Sequence, residues 1–240
     1  MAARRLVSVL NLGHMQYRRA WKLQQRLVRW QLDLLKTGGG EAHKKTQDLL
    51  LLCTHNPVYT IGIRTKGYTS ADEERLKALG ADFFRTERGG LITFHGPGQL
   101  VAYPILDLTH YKKSVRWYVK QLEDTVIKTC GRFGVEGQCS PHTGVWVGDS
   151  KIAAIGIHCT RYITSHGLAL NCNTDLRWFD HIVPCGIEGK GVTSLTKEVK
   201  DRTVTVEDAV EPFLDSFSEQ FECKLIDDDR GVLEMVETVE

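Results

Sequence analysis

No run of about 18 apolar residues occurs in the 240-residue chain, so no segment reads as a helix able to cross a bilayer. Net charge is nearly absent too. Lys and Arg number 31 against 30 Asp and Glu, and the resulting +1 removes the electrostatic case for nucleic acid as the main partner. A CxxC pair is missing, and the seven cysteines, at 53, 130, 139, 159, 172, 185 and 223, are odd in number. They read as free thiols in a reducing compartment rather than as a disulfide framework. No internal repeat or low-complexity block breaks the chain, and a hydrophobic share of 42% over this length suits one large domain or two small ones. Acidic residues are absent before Asp33, while arginine recurs through the same amphipathic stretch. This is the composition of a mitochondrial transit peptide, and equally of a basic first strand and helix belonging to the fold.

What is present divides into short apolar runs and periodic stretches. Trp21, Leu23, Leu27, Val28, Leu32 and Leu35 recur at helical spacing, which predicts an amphipathic helix over Gln16 to Lys36, ended by Thr37-Gly38-Gly39-Gly40. Asp48 to Thr54 is a continuous apolar run of strand length. Ala71 to Leu79 has acids in its first turn and Gly80 after its end, the pattern of a short helix. Val115 to Phe133 and Val206 to Glu222 are further helices, and Gly144 to Ile157 reads as strand, glycine-aspartate turn, strand, with Lys151 opening the second strand. Strands near 48, 58, 91, 101, 145, 152, 167 and 183, interleaved with helices, define an α/β fold.

The stretch with most chemical content is Arg88 to Leu108, RGGLITFHGPGQLVAYPILDL. It reads as two short strands bent around His95 to Gln99. Glycines at 89, 90, 96 and 98 strip side chains from both ends of the first strand, so a ligand or another backbone can approach the main chain. A pocket is one reading and a tight β-corner without ligand is the other.

This segment closely resembles the signature of the lipoate-protein ligase B family, the octanoyl transferases of protein lipoylation. The resemblance continues through Lys151, His166 to Asn171 and Pro184-Cys185-Gly186, and covers roughly Leu12 to Ser194. It implies the α/β biotin and lipoyl protein ligase domain, a mixed sheet flanked by helices. A single domain is expected over 1–240, with its core at about 12–222, a short basic N-terminal segment and a charged C-terminal tail. The resemblance also implies a catalytic dyad of Cys185 and Lys151. An acyl-binding pocket would be formed by Arg88, Gly89, Gly90, Leu91, Ile92, Thr93, Phe94 and His95, by Ala154, Ile155 and Gly156, and by Gly167, Leu168 and Ala169. His95 and His166 would orient polar groups at its mouth, and His55 would border it. A backbone N–H of the Arg88 to His95 loop would serve the oxyanion.

The implied reaction takes octanoyl from octanoyl-acyl carrier protein, holds it as a thioester on Cys185 and delivers it to a lysine of a lipoyl domain. Glycine cleavage H protein and the E2 subunits of 2-oxoacid dehydrogenases are the expected acceptors. The setting is the mitochondrial matrix, with no cofactor, no metal, no nucleic acid and no membrane span, and a monomer is expected. An unassisted thiol is only a few per cent thiolate at pH 7, so Cys185 needs a base, and Lys151 fills that role. The competing readings are an ATP-dependent lipoate or biotin ligase of the same fold, and a binding module that keeps the pocket without the chemistry. A zinc site from His158, Cys159, His166 and Cys172 has suitable ligand types but no recognised spacing.

Overall fold

Leu49 to Leu52 form an unbroken buried row because both faces of their strand are covered. The structure is a computed structural model that describes residues 5–37, 47–65, 67–183 and 190–227. In chain order the strands are β1 (Arg5–His14), β2 (Asp48–Thr54), β3 (Val58–Ile61), β4 (Asp82–Arg85), β5 (Ile92–His95) and β6 (Gln99–Ile105). They continue as β7 (Val145–Val147), β8 (Ser150–Thr160), β9 (Ile163–Asn171), β10 (Gly191–Val192) and β11 (Cys223–Asp227). The helices are α1 (Tyr17–Thr37), α2 (Ser70–Lys77), α3 (Val115–Gly131), α4 (Leu195–Val199) and α5 (Val206–Gln220).

Two sheets result. The larger is mixed, in the order β10-β8-β9-β6-β2-β1-β11, with β7 paired to β8, and the smaller is β4-β3-β5. On β2 the side chains of Leu49, Leu51 and Cys53 face α1, where they meet Leu23 and Leu27. Leu50 and Leu52 face the other way, toward Tyr118 and Leu122 of α3 and Phe213 and Phe217 of α5. β6 repeats the division, with Val101, Tyr103 and Ile105 toward α1 and Leu100 and Ala102 toward α3 and α5. The period of two therefore assigns each strand residue to one of two cores. Burying one such leucine contributes about 2 kcal/mol. α2 and α5 are closed by capping boxes, Thr69 with Asp72 and Thr205 with Asp208.

Several expectations change. Among the described residues no strand lies at 183: Leu176–His181 is a 3₁₀ turn, the next described strand is β10, and 184–189 lie outside the described residues. β1 begins at Arg5 and β11 ends at Asp227, so the sheet extends past both ends of the expected core at 12–222. The glycine stop after α1, the charged tail beyond Asp227 and the Pro184-Cys185-Gly186 segment lie outside the described residues. The two strands around His95 to Gln99 are β5 and β6, yet they do not pair. Gly96-Pro97-Gly98 carries the chain from the small sheet to the large one.

Candidate functional site

At this corner the two sheets and α1 enclose a narrow cavity of about 40 Å³. Its walls include Arg88, Gly90, Leu91, Thr93, His95, Ala154, Ile155, Gly156, Gly167, Leu168 and Ala169. Segments 88–95, 154–156 and 167–169 thus converge from three places in the chain. Three of the expected residues do not line it. Ile92 and Phe94 point to the opposite side of β5, into a small core with Tyr59, Phe83 and Phe179, because alternation on a strand sends only Thr93 and His95 inward. Gly89 also stays out of the wall: its N–H donates to the Ile157 carbonyl at 2.9 Å and fastens the loop to β8. That amide is taken, so an oxyanion donor has to be another group.

Gly156 and Gly167 face each other across the β8–β9 pair. Both were expected to let an acyl chain approach, but the space beside them is filled by protein. A Cβ on Gly156 would lie 2.8 Å from the Gly89 carbonyl oxygen, and one on Gly167 would lie 2.1 Å from that of Ala102. They seat the Arg88 to Gly90 loop against β8, and β6 against β9.

A buried polar chain backs the cavity. Arg88 Nη2 donates to the Thr60 carbonyl at 2.7 Å and to Thr60 Oγ1 at 2.9 Å. Gln99 donates its amide to the Phe94 carbonyl and to Asn171 Oδ1, so its Oε1 accepts from His95 Nδ1 at 2.9 Å. This leaves His95 Nε2 to accept from the Thr60 hydroxyl. Asn171 then donates to the Thr193 carbonyl, and the Thr193 N–H reaches the Lys151 carbonyl at 3.0 Å. Burial, above all, pushes His95 down to about 3 and His166 to about 3. Both ring nitrogens of His95 are engaged, so the imidazole is held by this frame. His55 is likewise structural: it is fully buried, donates from Nδ1 to the Met15 carbonyl, accepts from Tyr103, and is held by burial at about 4. It does not line the cavity.

Lys151 borders a second, smaller space of about 10 Å³, which shares Thr93, Ala154 and Ala169 with the cavity. Its side chain is 5% exposed, with Nζ donating to the Thr143 carbonyl at 3.1 Å and lying 4.8 Å from the centre of the Trp146 ring. The Thr143 turn is fixed in its turn by Glu123, whose Oε1 accepts from the Gly144 N–H at 3.0 Å. Segment 184–189, which carries Cys185, is outside the described residues, but both of its flanks are anchored nearby. The Val183 N–H donates to the Tyr68 hydroxyl at 3.0 Å, and Val192 pairs directly with Lys151. Cys172 packs in the main core, where burial pushes its thiol up to about 12.

Sequence reasoning missed Tyr17, Val101 and Tyr103 in the cavity wall, and Glu123 and Thr143 behind Lys151. Tyr17 lies flat against His95, with ring planes 7° apart and centroids 6.0 Å apart. Tyr17, Glu123 and Thr143 carry no local signal of a site, whereas Val101 and Tyr103, like Gln99, lie inside the Arg88 to Leu108 stretch.

Solved lipoate protein ligases share this α/β fold. Residues 16–218 match the lipoyl protein ligase A/B catalytic domain. A chain in the structure of a bipartite lipoate protein ligase and its E2 lipoyl domain from Thermoplasma acidophilum superimposes with a TM-score of 0.68, covering 98% of this chain and 92% of that one at 15% identity. Sequence relatives are nearer. A mitochondrial octanoyl-acyl-carrier-protein:protein N-octanoyltransferase of Danio rerio is 60% identical over 91% of this chain and 94% of its own length. One of the same description from Homo sapiens is 48% identical over 93% and 96%. The chain belongs to the lipoyl protein ligase A/B catalytic-domain family.

Proposed function

We propose that the protein is a mitochondrial octanoyltransferase that moves an octanoyl group from octanoyl-acyl carrier protein, through a thioester on Cys185, to a lysine of a lipoyl domain. This is the first step of protein lipoylation. The observation that carries the reading is Lys151, buried beside the cavity and paired with the strand that follows the Cys185 segment.

Lys151 takes the Cys185 proton, and the thiolate attacks the carbonyl carbon of the incoming thioester. The tetrahedral oxyanion collapses, the bond to the carrier sulfur breaks, and Lys151 returns the proton to that sulfur. The acceptor lysine amine then attacks the acyl-Cys185 carbonyl. Its proton passes through Lys151 to the departing Cys185 sulfur, leaving an amide. Thioester to thioester is nearly isoenergetic and thioester to amide is downhill, so no ATP is consumed. Thr143 and Trp146 suit the ammonium form that Lys151 takes in mid-reaction. H protein and E2 lipoyl domains are the acceptors this chemistry fits, and the single domain acts as a monomer.

Intact mass after incubation with octanoyl-acyl carrier protein tests the reading. An adduct of about 126 Da, absent in Cys185→Ser, labile to hydroxylamine and discharged by a lipoyl domain without ATP, is the expected result. Lys151→Ala should form the adduct at least 100-fold more slowly. Full transfer by Cys185→Ser, or transfer only with ATP, would replace the covalent route by an adenylating ligase.

A further inference from the structure

The cavity has a second end. A groove of about 1010 Å³ runs between α1 and the β8–β9 hairpin, bordered by Lys22, Arg26, Arg29 and Ser165. One residue, His166, borders both this groove and the cavity. The small space beside Lys151 thus shares Thr93, Ala154 and Ala169 with the cavity, and the cavity shares His166 with the open groove. Lys151 and Gly156 are five residues apart on β8, roughly 16 Å along an extended strand. That span takes an acyl chain of medium length. A much longer chain has to pass His166.

We propose that His166 is the specificity-determining residue for acyl chain length, forming the end wall that stops the chain short of the groove. The proposal rests on the octanoyltransferase reading and goes beyond it in assigning the length limit to one side chain. Three features suit the role. His166 is 5% exposed and stands where the cavity and the groove meet, bordering both. Its backbone is held in the left-handed region at φ +56°, and its N–H donates to Gln24 Oε1 of α1 at 2.8 Å, which ties the main chain that carries the ring to α1. Burial keeps the imidazole neutral, and an uncharged ring tolerates contact with the last methyl group of a chain.

The left-handed backbone supplies a clean variant, since glycine adopts that conformation without strain and His166→Gly removes the side chain. Transfer to a lipoyl domain is measured from carrier protein loaded with chains of six to fourteen carbons. Each methylene newly sheltered from water favours the longer chain about fourfold. The ratio of kcat/KM for dodecanoyl over octanoyl should thus rise about tenfold or more in His166→Gly. Ser165→Ala, which alters the groove alone, should leave the ratio within about twofold of wild type. An unchanged ratio in folded His166→Gly overturns the assignment, as does an equal rise in Ser165→Ala. If His166→Gly does not fold, Gln24→Ala, which frees the His166 amide, must raise the same ratio, and a folded Gln24→Ala with the wild-type profile counts against the wall. Wild-type protein that transfers no chain of any length overturns the octanoyltransferase reading itself, an outcome separate from a wild type that transfers and a variant that does not shift.

Discussion

His55, His95 and His166 are three buried imidazoles grouped around one slot, each held below the ordinary value of 6.5 chiefly by loss of water. Their common effect is on stability. Below about pH 6.5 the unfolded chain binds protons at these positions and the folded protein does not, so stability is fully present above 6.5 and declines as pH falls toward 4 and then 3. Each histidine contributes a slope of up to about 1.4 kcal/mol per pH unit in that window. Urea midpoints measured between pH 7.5 and 5 should fall steadily, and a flat profile would mean that the imidazoles are charged in the folded protein. At this scale the sequence is a partial guide. Each histidine stood in a recognisable motif, but whether it faces a substrate or a carbonyl depends on partners such as Met15 and Gln99, which lie 40 and 4 residues away.

The β6–β9 pair carries both the slot floor and the main sheet, and its close approach depends on Gly167. In Gly167→Ala the new methyl would stand 2.1 Å from the Ala102 carbonyl oxygen and 2.7 Å from Pro104 Cδ, and both belong to a strand held by its neighbours. The strands must part. A loss of about 1–3 kcal/mol is expected, seen as a lowered melting temperature together with weakened octanoyl transfer. A stable Gly167→Ala would show that the strands can slide to make room. Elements with strong local periodicity, such as α1, β2 and the β7–β8 hairpin, were legible in advance. β4, with four residues, and β10, with two, were not, because so short a strand has almost no pattern of its own and exists only through its partner.

For the whole molecule the decisive strand is β1. It lies inside the sheet, parallel to β2 on one side and β11 on the other, with Val7 and Leu10 buried. Residues that read as a basic presequence are therefore part of the frame from Arg5 onward. A chain beginning at Gly13 is expected to lose the cooperative thermal transition, because β2 would lose its partner on one edge and β11 its only partner, whereas one beginning at Arg5 should keep it. Circular dichroism melts of the two settle the matter, and cooperative melting of the shorter chain would mean that β2 and β11 can close the sheet alone.

The sequence alone determined the α/β class, the two glycine-flanked turns, the lysine that opens β8 and the residue types able to carry acyl transfer. These follow from local patterns of two and 3.6 residues and from motifs that survive as contiguous text. Tertiary structure decided which face each residue takes. It turned Thr93 and His95 inward and Ile92 and Phe94 away, filled the space beside Gly156 and Gly167 with backbone, and placed His166 between slot and groove. Such outcomes depend on pairing between segments far apart in the chain, and no local pattern encodes the partner.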